Sequence, residues 1–134
     1  MSFLYLHIGL MALAILAKAT AVSAAMFFRR RKDWFKVHKA LNYTANAALL
    51  AGLAAAFLAV GLSQASALGL AHRLAGLATV LVAFAFLLVG RSISRQEGRE
   101  AIASRKGLHR LGGRIGIALM PCAALLGLVA VGLL

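Results

Sequence analysis

The sequence predicts an all-α protein, an integral membrane up-and-down four-helix bundle in which residues 1–134 form a single domain. Three observations carry that prediction. Of the 134 residues, 63% are hydrophobic and only 13% are charged, too few polar side chains to cover a soluble domain of this size. Four apolar runs are each long enough for a crossing, which takes roughly 20 residues. The charges are also confined: apart from Lys18 and Arg73, every Lys and Arg falls within 29–39 or 91–114.

Span 1 is expected over about residues 3–28. Its small-residue stretch Ala21–Ala25 looks like a cleavage site, but no positive segment precedes the apolar run and Arg29-Arg30-Arg31-Lys32 follows it directly. That order reads as a retained helix with its N-terminus outside. A short basic connection, 29–35, leads to span 2 at about 36–62. The uncharged connection 63–66 leads to span 3 at about 67–90. Residues 91–107 are polar and mostly basic, with Glu97 and Glu100 among the arginines, and are expected to form a short surface helix. Span 4 is expected at about 108–134. Basic residues flanking spans mark the cytoplasmic side, which puts 29–35 and 91–107 in the cytoplasm and both termini outside. The corresponding location is a bacterial inner membrane.

The formal charge of +12 does not argue for nucleic acid. A basic stripe between apolar spans is explained by topology and by attraction to anionic lipid. The glycines of span 3 (Gly69, Gly76, Gly90) and span 4 (Gly112, Gly113, Gly116, Gly127) are expected to let helices approach closely. Cys122 is the only cysteine, which excludes an intrachain disulfide and a cysteine-rich metal site, and it reads as a small core residue.

The histidines carry the chemistry. There are four, one near the first turn of each span: His7, His38, His72 and His109. Successive spans alternate in direction, so His7 and His72 share one depth near the outer surface, and His38 and His109 share another near the inner surface. Spans 1 and 3, like spans 2 and 4, face each other diagonally in such a bundle. Each pair is therefore expected to place one imidazole on either side of a planar macrocycle, giving two bis-histidine b-type haems. The bases Lys39, Arg73 and Arg110 directly follow three of the histidines and suit anionic haem propionates. Gly76 and Gly113 stand one turn after His72 and His109 on the same face, where a larger side chain would strike the ring. Two imidazoles without a nearby carboxylate or thiolate make a poor zinc or iron cage.

These features resemble the cytochrome b561 family, in its small prokaryotic form, over nearly the whole chain. The resemblance rests on the four histidines in alternating order and on the pattern His-Arg-Leu-x-Gly at 72–76 and 109–113. It implies that His7 with His72 ligates an outer haem and His38 with His109 an inner one, and it implies transmembrane or quinol-linked electron transfer. The chain lacks the flanking helices of larger family members and any substrate motif outside the core.

Lys18, eleven residues after His7, lies on the same face about 16 Å further along. It reads either as a partner of a propionate or quinone near the inner haem, or as a side chain snorkelling to the inner surface. Asn42 and Asn46 have similar alternatives: an imidazole, propionate or quinone partner, or polar glue between helices. Trp34, Phe35, Tyr43 and Tyr5 fit an interfacial aromatic belt, and Phe84 and Phe86 fit packing. The expected function is a dihaem cytochrome moving electrons between a quinone pool and a soluble or membrane redox partner. The alternatives are a membrane-anchoring cytochrome b subunit of a larger respiratory complex and, less well supported, a small four-helix transporter. The last usually needs an intramembrane carboxylate, and Asp33, Glu97 and Glu100 all lie outside the spans.

Overall fold

A computed structural model of the chain describes residues 2–63, 69–93 and 99–132. Four helices account for nearly all of them: α1 (Ser2–Phe27), α2 (Trp34–Ser63), α3 (Leu70–Ile93) and α4 (Arg99–Ala130). Each contains a stretch long and apolar enough to cross a membrane, where only a helix that satisfies its own backbone hydrogen bonds is a workable span. The chain is thus an all-α integral membrane bundle, as its sequence predicts.

Helix ends follow local chemistry. Asp33 stands immediately before α2 and its carbonyl accepts the first helical bond, from the Val37 amide at 3.1 Å, a position where a negative side chain complements the helix dipole. Gly69 plays the same part for α3, its carbonyl accepting from the amides of His72 and Arg73 at 3.1 and 3.3 Å. Beyond α4, Gly132 adopts φ of +72°, the left-handed conformation that glycine tolerates at a helix C-terminus. Pro121 lies inside α4 without ending it.

Two sequence expectations need correction. Arg99 to Gly107 form the opening turns of α4 rather than a separate surface helix, because nothing between Ala101 and Lys106 opposes helix and the single Gly107 is too small a penalty to stop it. The remainder of that connection, residues 94–98, lies outside the described residues, as do residues 64–68. Cys122 faces outward and is exposed, not buried.

Helix α1 packs along α2, and α3 along α4, as two antiparallel hairpins; the hairpins meet each other far less closely, through α1–α4 and α2–α3. Small side chains make the close contacts. Ala14, Ala17, Ala21 and Ala24 form a buried stripe on α1, and Ala45, Ala48 and Ala55 are buried on α2. Midway along the bundle Ala14, Ala48, Leu49, Ala83 and Met120 close a core, with Met11, Ile15 and Val80 against it. Most leucines lie on the outer surface, the arrangement expected where the solvent is hydrocarbon.

In the second hairpin the Phe86 ring occupies the space a side chain at Gly112 would need. Gly112→Ala is expected to lower stability by overpacking, about 1–3 kcal/mol, read as a fall in the thermal midpoint of the detergent-solubilised protein. Adding Phe86→Ala to that variant is expected to recover part of the loss.

Candidate functional site: two opposed histidine pairs

Each of the four imidazoles is anchored in the same way. The Nδ1 of His7 lies 2.8 Å from the Gly52 carbonyl oxygen, that of His38 2.8 Å from Ala21 O, that of His72 2.9 Å from Ala123 O, and that of His109 3.2 Å from Phe86 O. A carbonyl oxygen only accepts, so Nδ1 carries a proton in every case, and it is Nε2 that holds the lone pair of the neutral ring. The Asn42 amide nitrogen lies 3.5 Å from His38 Nδ1 and 3.3 Å from Nε2. Being almost equidistant from the two nitrogens, it rests against the ring instead of capping the lone pair; its good hydrogen bond goes to the His38 carbonyl at 2.8 Å.

These bonds run within each hairpin and obey one register. Fourteen residues after His7, His38, His72 and His109 stand Ala21, Gly52, Phe86 and Ala123, the four acceptors. Each helix therefore carries a histidine and, just under four turns later, the carbonyl that receives its hairpin partner's histidine. At 1.5 Å per residue the two histidine levels are about 21 Å apart. Eighteen residues after each histidine, five full turns, stand Ala25, Ala56, Gly90 and Gly127. The last two leave room for the rings: a Cβ at Gly90 would approach His109 Cε1 to 2.8 Å, and one at Gly127 would approach His72 Cε1 to 2.8 Å. Seven residues after the histidines come Ala14, Ala45, Thr79 and Gly116, all buried. The small residues at spacings of 7 and 18 are a signal the sequence carries, whereas the acceptors at 14, with Phe86 among them, carry none.

Between hairpins the imidazoles come together in twos. The ring centroids of His7 and His72 are 6.3 Å apart with planes at 86°; those of His38 and His109 are 6.1 Å apart at 81°. These are the diagonal partners the sequence pairs.

Around His38 and His109 the hairpins part to leave a cavity of about 920 Å³, at the upper end of the range of roughly 300–1,000 Å³ for small-molecule and cofactor sites. Lys18, Arg29, Lys39, Arg91, Lys106, Arg110 and Arg114 line it, and none of its described lining residues is acidic. Its electrostatics favour an anion.

The other expected site residues divide. Lys39, Arg110 and Gly113 line this cavity, with the Lys39 ammonium 6.0 Å from the centre of the Tyr43 ring. A Cβ at Gly76 would meet nothing within 4 Å, and one at Gly113 only Val22 at 4.0 Å, so both face open space one turn from their histidines. Arg73 is exposed beside His72. Lys18 is buried, only 8% exposed, and donates to Asn42 Oδ1 at 2.8 Å; it does not reach for the surface. Asn46 donates to the Asn42 carbonyl at 2.7 Å within its own helix, which is not the interhelical bond expected of polar glue. Trp34, Phe35, Tyr43 and Phe86 line the cavity, Trp34 with its ring centroid 6.3 Å from that of His38, so these aromatics belong to the site as well as to any belt. Tyr5 is exposed, away from it.

Among the described residues no group of three or more His, Cys, Asp or Glu side chains is arranged to hold a metal. Each level brings two imidazoles together, too few by themselves to enclose a metal ion. The fold and site define a four-helix membrane protein in which four histidine rings meet in two pairs. No protein-family profile matches the chain, and no characterised protein or solved structure is significantly similar to it.

Nitrogen NMR of the histidine-labelled, metal-free protein in micelles is expected to show a proton on Nδ1 of all four imidazoles. Gly90→Val is expected to alter the His109 signal and Gly127→Val the His72 signal, each leaving the other in place. Rings protonated at Nε2 alone would contradict the anchoring.

Proposed function

We propose that the chain is a dihaem b-type cytochrome that carries single electrons across a membrane, His7 with His72 ligating one haem and His38 with His109 the other. One observation carries the reading. A ring nitrogen sits about 2.0–2.1 Å from a bound metal and the ring centre about 1.1 Å further on, so two imidazoles on opposite sides of one iron hold their centroids roughly 6.2–6.4 Å apart. The separations are 6.3 Å at one level, inside that range, and 6.1 Å at the other, just below it. The Nδ1–H bonds to carbonyls are the outer-shell contacts that fix tautomer and ring direction in metal-binding histidines.

Haem, when bound, supplies the one-electron iron chemistry. The chain's own side chains then do the rest. The histidines would hold the haem, and the core at Ala14, Leu49, Ala83 and Met120 keeps water from the middle of the bundle. Lys39, Arg110 and their cationic neighbours around the inner cavity answer the propionates, and Arg73 is the candidate at the other level. Electrons entering at one level have about 21 Å of bundle to cross along the axis, shortened by the width of the two macrocycles. The basic connections set the orientation in a bacterial inner membrane, with both termini outside. The exposed leucines meet membrane lipid, and a quinone or quinol is the natural membrane-soluble donor or acceptor.

The shortness of the connection between α1 and α2, with no substrate site built on it, favours as a second reading the anchoring cytochrome subunit of a respiratory complex. Co-purification of a soluble catalytic or multihaem protein distinguishes it from a free-standing carrier.

Purified in detergent, the protein is expected to show sharp reduced b-type bands and two haems per chain. Any one histidine replaced by alanine is expected to reduce that to one haem, and His38→Ala with His109→Ala to do no more than either alone. A colourless preparation contradicts the proposal.

A further inference from the structure

We propose that Lys18 makes the His38–His109 centre the more easily reduced of the two, so that electrons run downhill toward it from the His7–His72 level. This rests on the dihaem reading above. The position is singled out by the register. Eleven residues after each histidine stand Lys18, Leu49, Ala83 and Met120. All four are buried, and the last three belong to the apolar core. Three helices thus fill this slot with a hydrocarbon side chain and α1 fills it with a cation.

The ammonium is also aimed. Lys18 Nζ donates to Asn42 Oδ1 at 2.8 Å, while the Asn42 amide is pinned to the His38 carbonyl at 2.8 Å. That chain of contacts ties the charge to the turn that bears His38, on the wall of the cavity it shares with His109. Asn42 is neutral, so the bond orients the charge without cancelling it. Taking an electron adds one negative charge to a centre, and a fixed cation in a medium of low dielectric favours that state more strongly than one in water. Net charge around a metal centre is among the levers that set its potential. Among the described residues the His7–His72 level has no buried counterpart: Arg73, the one Lys or Arg near it in sequence, is exposed. In the transfer itself one electron leaves the iron(II) of the first level, which becomes iron(III), and converts iron(III) at the second to iron(II); no bond forms or breaks and no proton is needed.

An equilibrium redox titration of the detergent-purified, haem-loaded protein with small mediators tests this. Two one-electron steps are expected, and His38→Ala or His109→Ala should remove the higher. Lys18→Met and Lys18→Gln should each lower the higher step so that the reduced-to-oxidised ratio at a fixed potential falls about tenfold, or about 59 mV for one electron, with the lower step unmoved. Lys18→Arg should keep the parent value, and the glutamine variant guards against a merely misfolded methionine one. Unchanged potentials in both neutral variants with two haems bound overturn this inference alone, as does an equal shift of both steps or loss of the higher step in His7→Ala. Absence of haem from the parent protein overturns the dihaem reading and this with it.

Discussion

The hydrogen bond from a histidine Nδ1–H to a carbonyl on the neighbouring antiparallel helix is the constraint on which the rest of the structure depends. It appears four times, always from a histidine to the residue fourteen places after its partner helix's own histidine. A main-chain carbonyl inside a helix is already committed to an amide one turn on, so a second donor reaches it only where the following turn is slim. The residues at that point, Ala25, Ala56, Gly90 and Gly127, are alanine or glycine. Helix register, ring direction and the choice of small side chains are thus one requirement seen three ways.

That requirement divides labour between the hairpins. Within a hairpin, close packing of small residues holds each imidazole rigid. Between hairpins, packing is loose except at the mid-bundle core, and the imidazoles meet across the gap. A bundle packed uniformly on all sides would leave no room beside its histidines. This one is tight where the imidazoles are anchored and open around His38 and His109, where the cations gather.

Much of this was legible in the sequence. The four spans, their order and the diagonal histidine pairs follow from apolar run length and from alternation of direction, both properties of composition along the chain. The beginning of α4 was not, because the polarity of Arg99–Lys106 marks where lipid stops, while the backbone stays helical well past that point. Nor was the outward aim of Cys122, since an apolar span gives little periodic contrast between a lipid-facing and a core-facing side. Lys18 was placed on the correct face by spacing alone, but its choice between surface and interior depends on Asn42, a contact between two helices that no single-helix pattern contains. The acceptor carbonyls left no side-chain signal, and only the small residues one turn beyond them betray the site.

The most direct measurement of the central claim is electron paramagnetic resonance of the oxidised, purified protein. The proposed ligation, two imidazoles on each iron, predicts that both centres are low-spin and six-coordinate, with no high-spin component. A high-spin ferric signal from either centre, or a protein without iron, would contradict the account.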